Sequence, residues 1–235
     1  METRGGRATP RAGATILAAA CALAGCGAPP GHPDHPATPC EPDRQDTFVL
    51  DWTGGRNILH NWEELPPLDL SRFAVEGGGT LADAGDFRGM VRDEVEAILR
   101  DAGIDGDVVE GEQRPGVNVV HISSAGLAGR KTVGLGSYDP CNCRHADFSV
   151  VYTGRWLELG RSAPLAGWVN AFAGVAAHEI GHNVGLDHVE DESGEGVELM
   201  SAKKTWSERQ VEHRVLTEQD NCRGGAADSE PSVVE

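Results

Sequence analysis

The sequence predicts a single α+β domain with one long, largely apolar helix, and three observations predict it. Short segments rich in Val, Ile, Phe and Tyr recur at 46–53, 117–124, 131–138 and 147–154. An amphipathic run at 83–102 separates the first of them from the rest, and an Ala-rich, largely apolar run from Gly167 to Gly185 follows the last. The chain has 235 residues, a length that suits one domain of ordinary size with room for an additional segment at either end.

Element by element, 46–53 (DTFVLDWT) alternates apolar and polar positions and reads as a strand. Phe87, Met90, Val91, Val95, Ile98 and Leu99 fall at helical spacing, and Gly103 provides the stop. A short strand is expected around Val108-Val109, before the strands at 117–124, 131–138 and 147–154. Gly167 to Gly185 reads as a long, Ala-rich, largely apolar helix. Residues 207–220 carry the pattern of a final amphipathic helix, and 224–235 read as an acidic, flexible tail. Aromatic residues make up 5% of the chain, so the core must lean on Val, Leu, Ile and Ala.

Residues 1–25 have the order of an export signal. Arg4, Arg7 and Arg11 form a positive front, Ala14 to Ala24 an apolar stretch too short to span a bilayer, and small residues precede Cys26. Leu23-Ala24-Gly25-Cys26 resembles the bacterial lipoprotein box, which implies that Cys26 is the acylated first residue of the mature chain, anchored in a lipid bilayer on the extracytoplasmic side. Residues 26–45 follow as a tether, in which Pro29, Pro30, Pro33, Pro36, Pro39 and Pro42 exclude helix and favour an extended spacer. The predicted domain therefore spans 46–223.

With Cys21 in the leader and Cys26 assigned to lipid, Cys40, Cys141, Cys143 and Cys222 remain. An even number in an exported chain implies two disulfides. One intervening residue makes a Cys141–Cys143 bond unfavourable, so each is expected to pair with Cys40 or Cys222, in either order. The alternative, zinc on Cys141, Cys143 and His145, has an unusual spacing for a structural site.

A formal net charge of −17 argues against a nucleic-acid partner and against electrostatic docking on anionic lipid. The chemistry concentrates instead in the long helix, at His178-Glu179-Ile180-Gly181-His182-Asn183-Val184-Gly185-Leu186-Asp187-His188. Histidines four apart share one helical face about a turn apart, a spacing that two ligands of one Zn²⁺ can bridge. Glu179 adjoins the first ligand and can serve as general base to a water on the metal. Gly185 can end the helix in a left-handed turn, which lets the chain reverse and bring His188 to a third ligand position. Three neutral nitrogens leave the fourth place open, as in catalytic zinc sites. His60, His121, His145 and His213 are isolated, and His32 and His35 lie in the tether.

HEIGHNVGLDH resembles the HExxHxxGxxH signature of the metzincin zinc endopeptidases. The resemblance implies a metzincin-like catalytic domain with a mixed twisted sheet, a long active-site helix, a Met-turn beneath the metal ligands and a C-terminal helix. Met200, twelve residues after His188, matches the Met-turn. Gly185-Leu186-Asp187-His188 and the short run to Met200 look most like matrixins, although Val189 replaces the Ser typical of that group and no segment matches its structural-zinc and calcium loop. The acidic run Glu190, Asp191, Glu192, Glu195 lacks the regular oxygen-ligand spacing of a Ca²⁺ loop. Pro39-Cys40-Glu41-Pro42-Asp43 faintly resembles the matrixin latency motif, without its Arg and Gly.

The expected function is thus an exported, monomeric, zinc-dependent endopeptidase that hydrolyses protein or peptide substrates. The resemblance implies an extended substrate paired along the 131–138 strand. The alternative is a catalytically inactive metal- or peptide-binding lipoprotein of the same fold, which would have no need of Glu179.

Overall fold

The computed structural model describes residues 45–126, 133–139, 142, 146–158, 162–188, 197–200 and 214–215. Strand β1 (Asp46–Asp51) is followed by a small hairpin, β2 (Gly55–Asn57) and β3 (Glu63–Leu65), then helix α1 (Phe87–Asp101), β4 (Gly106–Glu110) and β5 (Asn118–Ser123). Edge strand β6 (Gly134–Gly136), β7 (Phe148–Tyr152), the short α2 (Gly154–Glu158) and the long α3 (Leu165–Asn183) complete the main body. Two short strands, β8 (Val197–Glu198) and β9 (Arg214–Val215), pair with each other in parallel.

The central sheet has the order β4-β1-β5-β7-β6. β1 runs parallel to β4 and β5, and β5 parallel to β7; only β6, at the edge, is antiparallel. The expected α+β arrangement is therefore refined to a mixed α/β fold with a mostly parallel sheet, because α1 carries the chain back so that β4 can lie beside β1 in the same direction. Among the described residues no helix is long and apolar enough to cross a membrane.

β1 is buried almost throughout, which the alternating sequence pattern did not foretell. Its two faces serve two cores. Phe48 and Leu50 join Val120, Ile122 and Val151 against α1 and α3, while Val49 joins Val119, Phe148, Val150 and Tyr152 on the other face. The polar ends are buried because they are bonded. Asn118 and Asn142 donate to the Asp46 carboxylate, and Asp51 accepts from Thr53 and from the Gln113 amide. Parallel strands covered on both faces lose the in/out alternation of a half-exposed strand.

The second face is capped by the β2–β3 hairpin. The Asn57 side chain donates to the buried Tyr152 hydroxyl and accepts the amides of Leu59 and His60. A turn closed by Glu63 N–H on the His60 carbonyl then places Asn61 and Trp62 at φ of 50° and 57°, values expected of a type I′ turn.

Helix α1 starts at Phe87, later than the run from 83, because the Asp86 carboxylate accepts the Gly89 amide and caps the helix there. It packs on α3, where Phe172 is the centre of an aromatic cluster. Phe73, Phe87, Trp156 and Trp168 stand edge-on to its ring at centroid distances of 5.4, 5.2, 4.7 and 6.5 Å, and Trp52 lies tilted at 6.3 Å. This cluster fixes the first half of α3 and so aims its second half. The helix expected over 207–220 is corrected at Arg214 and Val215, which pair as β9 with β8; its other residues lie outside the described set. Pairing with a distant strand has overridden a local amphipathic pattern there.

Candidate metal centre

Helix α3 ends in a complete left-handed stop. The Leu186 amide donates to the Gly181 carbonyl at 2.8 Å and the Gly185 amide to the His182 carbonyl at 3.1 Å, with Gly185 at φ 92°. This is the Schellman pattern, which a residue with a Cβ adopts only under strain. It turns the chain so that His188 faces back toward His178 and His182. The three Nε2 atoms converge, that of His188 lying 3.2 Å from His178 Nε2 and 3.1 Å from His182 Nε2.

The ring orientations are set from behind. His178 Nδ1 lies 2.6 Å from the Leu199 carbonyl, and His182 Nδ1 lies 2.9 Å from the Leu186 carbonyl. A carbonyl only accepts, so both Nδ1 atoms carry the proton and both Nε2 atoms present a lone pair to the centre. His188 Nε2 has at most one proton to share between the two, so the three facing nitrogens are rich in lone pairs and poor in protons. A cation satisfies all three. Ligands about 2.0–2.1 Å from a tetrahedral Zn²⁺ stand about 3.3 Å apart, close to the separations found. The donor set, ligating atoms all within 4.8 Å of one another, therefore fits a metal ion.

Electrostatics favour the same state. Burial, and secondly His188, push the His182 pKa down to about 4, against the opposing pull of the Leu186 carbonyl and Asp187. Burial also lowers His188, with Asp187 opposing. Both imidazoles are neutral at pH 7, as ligation requires.

Beneath the ligands, Met200 is fully buried and lies against Gly181, the residue before His182. A Cβ on Gly181 would stand 2.5 Å from Met200 Sδ and 3.4 Å from Leu186 Cδ1, so the absent side chain makes room for both. Glu179, 1% exposed, faces the edge strand, where its carboxylate lies against Gly134 and Gly136. Reading the sequence missed these two glycines. The available signal was a Gly-x-Gly pair inside a strand, a place where Gly is disfavoured unless something approaches closely.

Asn183 holds the edge strand's continuation to the helix. Its Nδ2 donates to the Ser137 carbonyl and hydroxyl at 2.9 and 3.0 Å, and its Oδ1 accepts from Ser149 Oγ at 2.9 Å. Asn183→Ala removes three hydrogen bonds, one of them fully buried, and deprives the Ser137 carbonyl of this donor. It is expected to cost about 2–3 kcal/mol, read as a lowered urea midpoint. Tyr138, just beyond, is 38% exposed and stands edge-on to the His182 ring at 6.5 Å.

Among the described residues, His121 and His60 do not join this centre. His121 is buried in β5 beside Asp51, 3.4 Å away; burial lowers its pKa while Asp51 opposes the shift. His60 lies in the hairpin near Glu63. Cys26, Cys40, Cys141, Cys143, Cys222, His32, His35, His145, His213, Val189 and the acidic run 190–195 fall outside the described residues, as do the leader, the tether and the tail.

No protein-family model and no curated protein matches the chain. Among solved structures it is similar to an archaemetzincin from Archaeoglobus fulgidus, in a complex with malonate, at a TM-score of 0.37 and 10% identity, covering 73% of this chain and 93% of that one. It is also similar to an archaemetzincin from Methanopyrus kandleri, at a TM-score of 0.36 and 14% identity, covering 73% and 87%. At such scores the functional reading rests on this chain's own geometry.

Proposed function

We propose that the chain is a zinc-dependent endopeptidase of metzincin type, with His178, His182 and His188 as metal ligands, Glu179 as general base and Met200 as the Met-turn residue. The observation that carries this reading is the convergence of three Nε2 atoms, two of them fixed as lone-pair donors on a helix that also carries a buried carboxylate. A zinc ion held there would activate water near neutral pH and polarise a substrate carbonyl. Glu179 takes the proton of the attacking water and delivers it to the departing amine. The substrate lies extended along β6, and Tyr138 offers an aromatic wall beside His182. The leader pattern ending at Cys26 supports an exported, lipid-anchored enzyme, and Cys40, Cys141, Cys143 and Cys222 supply two disulfides.

Metal content and turnover test the reading together. Residues 27–235 are expected to bind one zinc per chain and to cleave a mixed peptide library. Activity should disappear with a chelator and return on adding zinc. One zinc with no cleavage of any peptide would sink the peptidase and leave a metal-binding protein.

A further inference from the structure

Gly134 and Gly136 alternate with Leu135 along β6. Leu135 is buried in the core on the hairpin side, so the two glycines face α3. Their identity is not demanded by the backbone, because neither has a positive φ. It is demanded by space. A Cβ on Gly134 would overlap Glu179 Oε1 outright and stand 2.7 Å from its Cδ; one on Gly136 would lie 2.9 Å from Oε2, 3.0 Å from the Glu179 carbonyl and 3.2 Å from Ser149 Oγ. The trench thus touches both carboxylate oxygens, from neighbouring positions on one strand face. Ser149 and Asn183 set its depth, since they tie β7 and the end of β6 to α3.

We infer that Gly134 and Gly136 are positioning residues that clamp the Glu179 carboxylate in the orientation needed for proton transfer. The inference rests on the peptidase reading for its consequence in catalysis, but not for the steric contact itself. A glutamate has three side-chain torsions, and a general base works only within hydrogen-bond reach of the proton it takes. The side-chain-free strand face lets the carboxylate lie flat against the backbone; a methyl group there forces it to swing away.

The test compares Gly134→Ala and Gly136→Ala, each alone and combined with Glu179→Gln. Gly134→Ala is expected to keep one zinc per chain and to lower kcat about 100-fold with KM changed less than about threefold, the scale of a misplacement of about 1 Å. Gly136→Ala, the looser contact, should lose less and decides the matter if the first variant does not fold. In the Glu179→Gln background either glycine change should cost less than about twofold, because the carboxylate it positions is already gone. Crystal structures of the single variants should show the carboxylate displaced by about 1 Å or more, a readout independent of turnover. Undiminished kcat, a full additional loss in the Glu179→Gln background, or an unmoved carboxylate would each overturn the clamp. If the unaltered protein cleaves no peptide, the peptidase reading fails, while the displacement still decides whether the trench holds Glu179.

Discussion

Replacing Glu179 with glutamine is expected to leave zinc binding unchanged and to lower kcat by about 10²–10⁴-fold, the usual contribution of a general base. The amide is nearly the same shape as the carboxylate and fills the same space against Gly134 and Gly136. It has lost the capacity to accept and pass on a proton. The rings of His178 and His182 are held from behind by the carbonyls of Leu199 and Leu186. Zinc stoichiometry by elemental analysis, beside kcat and KM on one peptide, separates the outcomes. Turnover within tenfold of the unaltered enzyme would remove Glu179 from the chemistry, and a lost metal would make it part of the metal's support.

The second large effect concerns stability. Phe172→Ala should destabilise the domain by about 3–5 kcal/mol, since the side chain is fully buried and five aromatic neighbours surround it. Rings from the loop after β1, from α1, from α2 and from α3 itself all meet at this point, so no single movement refills the cavity. Against a total stability of about 5–15 kcal/mol, a loss of this size lowers the melting temperature by about 10 °C or more. Urea unfolding followed by tryptophan fluorescence measures it directly, and a change under about 1 kcal/mol would mean that the cluster repacks. Because Phe172 lies on the helix that carries His178, zinc should partly restore the variant's melting temperature.

The metal centre was largely legible in the sequence because its contacts are local. His178, His182, Gly185 and His188 fall within eleven residues, and helix geometry plus one left-handed turn fixes their relation. The largely apolar character of α3 was legible from its composition. What escaped depends on distant partners. Asp46 and Asp51 read as the polar positions of a half-exposed strand, yet long-range hydrogen bonds allow both to be buried in a strand covered on two faces. The β2–β3 hairpin escaped because its strands are three residues each and its turn uses Asn61-Trp62, where a Gly would have announced the reversal. Arg214 and Val215 followed a helical pattern but joined β8. Gly134 and Gly136 could be seen as unusual in a strand, but only the fold shows what lies against them.

The bond between His178 and the Leu199 carbonyl has a bearing on the order in which the centre is completed. All three nitrogen ligands are present once the chain reaches residue 188, but the group that selects the His178 tautomer arrives eleven positions later. A nascent or shortened chain ending before Leu199 would hold every ligand and still leave His178 free to place its proton on either nitrogen. The His178 tautomer is therefore set by a part of the chain synthesised after all three histidines. The same short segment places Met200 under the helix, so the backing of the candidate metal site comes from chain that lies beyond its three histidines.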